Sequence, residues 1–364
     1  MPTPARVVVV PVLDGPLEIH DVQLPDPAPL QVVARLHSSG VCHSQLHQMH
    51  TPRQQPVVLG HEATGTVTAI GSDVDHVVVG DRVIVTWVPR DAQHAGRAPV
   101  AAKVELPDGS EAVSQNVFTW ADHTIADEQF VVKVPEDIRR DVTCIIGCAV
   151  ITGAGAVKNT AAVKKGQSVA IFGVGGVGLC AVVAARQAGA DPIIAIDLDD
   201  AKLDFAMRFG ATHKIDASAT NAVAAIREIT GHNGAWDIIG RPVSGADFTF
   251  DCIGLKVTME QIVPAARSGS FGVREGGTAV LVGVPGTRPE LNALDILVNE
   301  KKFIGSIGGS CHPDRDFPVF LDWFDKGILD LDALVTARYT LDQINEATRC
   351  LEAGEIFGRA ILEI

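Results

Sequence analysis

The chain is short of positive charge. Its 364 residues carry 30 Lys and Arg against 44 Asp and Glu, a formal charge of −14. Such an acidic chain is a poor candidate for holding nucleic acid or an anionic membrane through bulk electrostatics. Long apolar runs are missing too. The longest uncharged one, Val169 to Ala185, falls below the roughly 20 residues that a spanning helix needs, and glycines interrupt it. The N-terminal apolar stretch is too brief and too Pro-interrupted for a secretion signal. Internal repeats and low-complexity tracts are absent. Cysteine comes as an odd count, 7, widely scattered. With no secretion signal, that usage points to reduced thiols in a cytoplasmic protein.

What is present is a core. The hydrophobic set makes up 46% of the chain and charged residues 20%, which excludes wholesale disorder. At roughly 150 residues per domain the length suggests about two domains. The first 140 or so residues read as short β pieces separated by Pro, Gly and Asp: Arg6–Val12, Gln31–Leu36, Thr66–Ile70 and Arg82–Trp87. Asp108-Gly109 marks a hairpin turn, because that pair tolerates positive φ. From about residue 150 the rhythm changes. Apolar strands at Val169–Phe172, Ile193–Ile196, Phe248–Phe250, Thr278–Val282 and Phe303–Ile307 alternate with helical segments such as Gly176–Gln187 and Ala201–Phe209. That alternation indicates βαβ units around a parallel sheet. Helical stretches at Asp316–Asp325 and Leu341–Glu352 and a strand at Arg359–Ile364 close the chain.

Gly173-Val174-Gly175-Gly176-Val177-Gly178 fits G-x-G-x-x-G directly after a strand and at the opening of a helix. Gly173 allows the tight turn, Gly175 lets the backbone approach a pyrophosphate, and Gly178 lets helix and strand pack closely. Asp197 ends the next strand, about 20 residues beyond Gly178, where a carboxylate binds the ribose hydroxyls of NAD and repels the 2′-phosphate of NADP. The bland alternative is a structural turn with Asp197 as a helix cap.

Three further signals are Val41-Cys42-His43-Ser44-Gln45-Leu46-His47, Gly60-His61-Glu62 and Gly147-Cys148. Two thiolates and an imidazole suit zinc, and three protein ligands with an open fourth position suit a catalytic site. Spacing alone leaves the other reading open, in which each is a buried thiol or a satisfied histidine.

Taken in order, Cys-His-Ser-x-x-His, Gly-His-Glu, Val79-Gly80-Asp81-Arg82-Val83, Gly-Cys and the glycine motif with its Asp resemble the zinc-dependent alcohol dehydrogenases of the medium-chain dehydrogenase/reductase superfamily. The resemblance runs from Gly40 to Gly358-Arg359-Ala360-Ile361-Leu362. It implies an α/β protein with a GroES-like, β-rich catalytic domain at 1–149 and 310–364. A Rossmann coenzyme domain with a doubly wound parallel sheet falls at 150–309. It implies Cys42, His61 and Cys148 as ligands of one catalytic zinc, NAD as coenzyme, and zinc-alkoxide formation with a Ser44–His47 proton relay. Glu62 falls where the family has a second carboxylate near the metal. His43 and Arg359 fall at pyrophosphate contacts, Lys202 near the adenosine ribose, and Thr152 and Val177 against the nicotinamide. Leu46, Trp87 and Trp120 fall along the substrate cleft, whose indoles favour apolar or aromatic alcohols and aldehydes, primary or secondary. The family's assembly implies a homodimer or homotetramer through edge strands of the coenzyme sheet.

Two departures stand out. Many relatives carry a four-cysteine structural-zinc lobe, yet from Asp91 to Thr119 this chain has no cysteine and only His94 as a histidine. One zinc per chain is therefore expected, with a different loop in that place. Gln45 replaces the usual Asp beside the histidine ligand, and is expected to orient the imidazole through its carbonyl without supplying charge. Extra residues around Ala235–Ala246 and Ser268–Gly277 are expected to lengthen surface loops. The rival readings are a superfamily reductase of activated double bonds, which the Ser44–His47 pair weighs against, and a non-catalytic NAD(H)-binding protein, which the metal triad weighs against.

Overall fold

The computed structural model of the chain describes residues 2–12, 15–91, 96–114, 116–231, 234–270, 272 and 275–364; His94 lies outside them. Two compact units result, Met1–Ala149 with His312–Ile364, and Val150–Cys311.

In the second unit, strands Val169–Phe172, Ile193–Asp197, His213–Asp216, Phe248–Asp251, Thr278–Leu281 and Lys302–Gly305 form one parallel sheet. Counted along the chain, their spatial order is 3-2-1-4-5-6, the doubly wound arrangement. Val169–Phe172 is buried at every position, as expected of a central parallel strand with helices on both faces. Helix Asp200–Phe209 is capped at one end by the Asp199 carboxylate, which accepts from the Ala201 and Lys202 N–H groups. It ends on Gly210, which adopts a left-handed φ of 118°. The extra residues after Ala235 form a tied turn. Trp236 bridges Pro242, and buried Asp237 accepts from Ile239 N at 3.0 Å and from Arg241 N at 2.8 Å. The segment 268–277 is described only in part.

The first unit is built around strand Gln31–Val41. It pairs antiparallel with Glu62–Ile70, with His123–Asp127 and, from the far end of the chain, with Arg359–Glu363. A second sheet contains the hairpin Lys103–Glu105 and Glu111–Val113, turned by Gly109 at φ 82°. Arg97 anchors the preceding segment by a two-pronged bond to Asp127 of 2.7 and 2.6 Å, joined by Val100 N to Asp127 Oδ2 at 2.7 Å. Among the described residues no helix is long and apolar enough to cross a membrane.

This clasp gives a pH-dependent prediction. Burial raises the Asp127 pKa, but Arg97 and the Val100 and Gln129 N–H groups outweigh it and hold the carboxyl below its ordinary value. Arg97→Ala should cost about 2 kcal/mol in urea unfolding at neutral pH. A depressed carboxylate contributes fully above its unfolded-state value and loses that contribution as pH falls through the folded one. The deficit of the variant should therefore vanish in strong acid, and a deficit unchanged there would refute the pairing.

Candidate active site

Four donor side chains meet in the first unit. Cys42, His61, Glu62 and Cys148 each bring one ligand atom to within 4.8 Å of the others. Local structure explains each arrival. Strand Gln31–Val41 runs out into Cys42, which is still extended (φ −106°, ψ 143°) and caps helix His43–Met49. Gly60 turns the chain at φ 95°, and a Cβ there would come 2.4 Å from the Trp120 nitrogen. That turn delivers His61 and Glu62 at the head of strand Glu62–Ile70. Gly40 leaves room for the carboxylate, since a Cβ on it would lie 2.3 Å from Glu62 Oε1. Cys148 follows the tight turn Val142–Gly147.

The sulfur atoms of Cys42 and Cys148 are 4.0 Å apart, and His61 Nε2 is 3.2 Å from Cys148 Sγ. Two thiolates on tetrahedral zinc, with Zn–S near 2.3 Å, stand about 3.8 Å apart. The residues present therefore fit a zinc ion in both chemistry and spacing. Electrostatics agrees. The Cys148 S–H directed at Cys42 pulls the Cys42 thiol well below its ordinary range, against burial and with help from Arg359 and His61. The second ionisation, at Cys148, is pushed up by the same pairing and by burial. The first ionisation of the pair is favoured and the second opposed, and a bound cation would favour the second.

The second unit offers a nucleotide cradle. Gly173 turns at φ 85°, and a Cβ on Gly178 would lie 1.9 Å from the Gly173 carbonyl oxygen. Both positions require glycine. A Cβ on Gly175, the N-cap of helix Gly176–Ala188, would meet nothing within 4 Å, so open space lies above the helix N-terminus. Asp197 Oδ2 accepts from Val174 N at 3.0 Å, which holds the carboxylate across the loop. Gly175, Gly176 and Val177 are partly exposed, and so is Lys202. Thr152 is half-buried and its hydroxyl has no partner among the described residues. These residues fit a dinucleotide.

Residues 28–136 match the family model of the alcohol dehydrogenase GroES-like domain, and residues 176–326 match that of zinc-binding dehydrogenases. S-(hydroxymethyl)glutathione dehydrogenase of Paracoccus denitrificans is 31% identical over 373 residues, covering 95% of this chain and 96% of its own. The chain belongs to the zinc-dependent alcohol dehydrogenase family of the medium-chain dehydrogenase/reductase superfamily. Two solved structures agree. An alcohol dehydrogenase zinc-binding domain protein from Burkholderia ambifaria superposes with a TM-score of 0.88 at 29% identity, covering 100% of both chains. Benzyl alcohol dehydrogenase from Acinetobacter calcoaceticus does so with 0.85 at 27%, covering 100% of this chain and 99% of its own. The protein is an oxidoreductase of the zinc-dependent alcohol dehydrogenase type.

Around the donors of this alcohol dehydrogenase, several side chains depart from expectation. Gln45 does not address the His61 ring among the described residues. Its carbonyl accepts from the Gly60 N–H, and its amide donates to Gln48 Oε1 at 2.6 Å. It therefore fixes the turn that carries His61 rather than the imidazole itself. Arg359, expected at a pyrophosphate, is only 5% exposed and pairs through Nη2 with Glu62 Oε1. Glu62 is fully buried and also accepts from Ala149 N at 3.3 Å. Burial raises its pKa above the ordinary carboxyl value, against the pull of Arg359. No local signal announces this pair, because its members lie far apart in sequence.

The expected substrate wall also changes. Trp120 is 0% exposed and donates its indole N–H to the Gly40 carbonyl at 3.1 Å. Together with Leu46 it packs into a core cluster with Leu341, Ile344 and Leu351. Both are core residues, in one buried cluster with strand residues Val8 and Val41 and with Ile344 and Leu351 of helix Ile344–Glu352. Trp87 is different. It is half-buried and meets the His61 ring edge-on, with centroids 6.4 Å apart. Ser44 donates to Cys42 Sγ at 3.3 Å, while His43 and His47 are exposed on the same short helix.

Proposed function

We propose that this chain oxidises alcohols with an apolar or aromatic body, reversibly, using NAD and one zinc held by Cys42, His61 and Cys148. The observation that carries the reading is the convergence of two thiols, an imidazole and a carboxylate beside a half-buried indole, Trp87. Zinc, when bound, supplies a Lewis acid that makes a neighbouring hydroxyl easier to deprotonate. NAD, when bound, supplies the hydride acceptor. Trp87 offers an apolar surface beside His61, which keeps water out and favours an apolar or aromatic group there. Ser44 touches the Cys42 sulfur, and His47 lies three residues on, on the same helix face. A proton leaving the site therefore passes from the Ser44 hydroxyl toward the exposed His47 and water. His43 and Lys202 remain candidates for coenzyme phosphate and ribose, and Thr152 and Val177 for the nicotinamide.

The likeness to a benzyl alcohol dehydrogenase supports the aromatic end of the substrate range. The likeness to an S-(hydroxymethyl)glutathione dehydrogenase supports a second reading, a glutathione adduct as substrate. Strand Lys302–Gly305 forms an edge of its sheet, and Leu294, Leu297 and Ile307 nearby in sequence are 65, 74 and 77% exposed. That surface supports self-association into a dimer.

Steady-state rates with benzyl alcohol, butanol and S-(hydroxymethyl)glutathione, each with NAD and NADP, test the reading. Benzyl alcohol with NAD should give the highest kcat/KM. NAD should be preferred by about 100-fold, the Coulomb cost of a 2′-phosphate beside a carboxylate in a partly solvated site. Asp197→Ala should shrink that preference to about ten-fold or less. No turnover with any alcohol, despite coenzyme binding, would sink the proposal.

A further inference from the structure

Arginines of the first unit mostly stand against carboxylates, as in Arg6–Asp342, Arg97–Asp127, Arg139–Asp141 and Arg338–Glu363. One group does not. On the large sheet, Thr66 is the ladder partner of both Arg35 and Arg82, so three adjacent strands line up Arg35, Thr66 and Arg82. The Thr66 hydroxyl accepts from Arg82 Nη1 at 3.0 Å and lies 2.9 Å from His37 Nε2. Arg140 lies close by: its carbonyl is held by the Ser38 hydroxyl at 2.7 Å and by Thr64, and its charge bears on both Arg82 and His37. Among the described residues none of Arg35, Arg82 and Arg140 has a carboxylate at ion-pair distance; Glu136 reaches Arg82 only through space. Arg82 is 7% exposed, and its Nε is buried without an acceptor.

A guanidinium removed from water and left unpaired is unfavourable unless something charged answers it. In a chain of net charge −14 with many carboxylates to spare, the missing partner is conspicuous. We propose that Arg35, Arg82 and Arg140, with the Thr66 hydroxyl between them, form a binding site for a phosphate-sized tetrahedral oxyanion, free or as a phosphomonoester. Guanidinium forks match such an ion in charge and geometry. Thr66 lies four residues from Glu62 along the same strand, about 13 Å, so the site is separate from the metal donors. His37 reports on it. Burial, and then the charges of Arg82, Arg140 and Arg35, hold its imidazole down to about 4. An anion seated among the three arginines offsets those charges and raises that value.

The test is a titration of the full chain with inorganic phosphate at low ionic strength, read by calorimetry and by the His37 resonances. Saturable binding is expected, with the His37 midpoint moving up. Arg35→Gln and Arg140→Gln replace exposed side chains and should each weaken binding by about ten-fold or more, with zinc content and alcohol turnover unchanged. Ribose 5-phosphate is the second arm. Binding equal to or tighter than phosphate supports a phosphomonoester, and binding of phosphate alone supports the free ion. A response that does not saturate, or one that survives in both variants, would overturn the proposal.

Discussion

Cys148→Ser is expected to yield a folded protein that retains under about a tenth of an equivalent of zinc and turns alcohol over at least about 1000-fold more slowly. A hydroxyl is a poor zinc ligand, because only the ionised form binds well and serine does not ionise near neutrality. Removing the sulfur takes away one of two thiolates and also the partner that keeps Cys42 ionised. A Lewis acid at the site contributes several kcal/mol to the barrier, and each 1.36 kcal/mol is ten-fold in rate. The control is four residues upstream. Cys144 is fully buried and outside the donor cluster, and burial pushes its thiol up. Cys144→Ser should keep about one equivalent of zinc and most of the activity. Elemental analysis of both variants decides the matter. Zinc retained by Cys148→Ser would remove Cys148 from the ligand set, whatever the rates.

That contrast between two nearby cysteines shows what the sequence could carry. Nothing in composition separates Cys144 from Cys148; the Gly-Cys motif in its place along the chain does. Motif order likewise led to Cys42, His61 and Glu62, because each sits at a strand end or glycine turn whose local chemistry is written in neighbouring residues. The strand Val169–Phe172 was legible to the residue, since an apolar run meets Gly173 abruptly. His213–Asp216 was not. It is an edge strand whose first two residues, His213 and Lys214, face solvent, so it lacks the apolar run of its neighbours. Strand Gln31–Val41 was legible only to Leu36. Its continuation through Ser38, Ser39 and Gly40 has little β propensity, and pairing with Glu62–Ile70 and Arg359–Glu363 holds it, with hydrogen bonds from the serines to the Arg140 and Glu62 carbonyls. Side-chain destinations were hardest. Trp120 fills a core whose members include Ile344 and Leu351, over 200 residues away in the chain, a partnership no local pattern announces. The Arg359–Glu62 pair has the same long-range origin.

That pair carries the second large effect. Arg359→Met should destabilise the protein by about 3–5 kcal/mol at neutral pH, because it strands the Glu62 carboxylate in a site with no solvent access. The loss should depend on pH in a direction that burial sets. The Glu62 carboxyl already lies above its ordinary value, and losing Arg359 removes the strongest force holding it down. An acid whose folded pKa is raised loses stability as pH rises from its unfolded-state value to its folded one, and loses no more above it. The Arg359→Met deficit should therefore be smallest in acid, grow as pH rises above the ordinary carboxyl value, and level off once Glu62 is ionised in the folded variant. Glu62→Gln removes the charge instead, and the double variant Glu62→Gln with Arg359→Met should recover a large part of the loss. A double-mutant cycle by urea unfolding measures that coupling. Zinc content should hardly change in Arg359→Met, since the three nitrogen and sulfur donors stay in place and the Cys148 pairing, a larger influence on Cys42 than Arg359, remains. Zinc loss with unchanged stability would mean that Arg359 acts on the metal site rather than on the buried carboxylate. Additive single variants would mean that the two charges are not coupled.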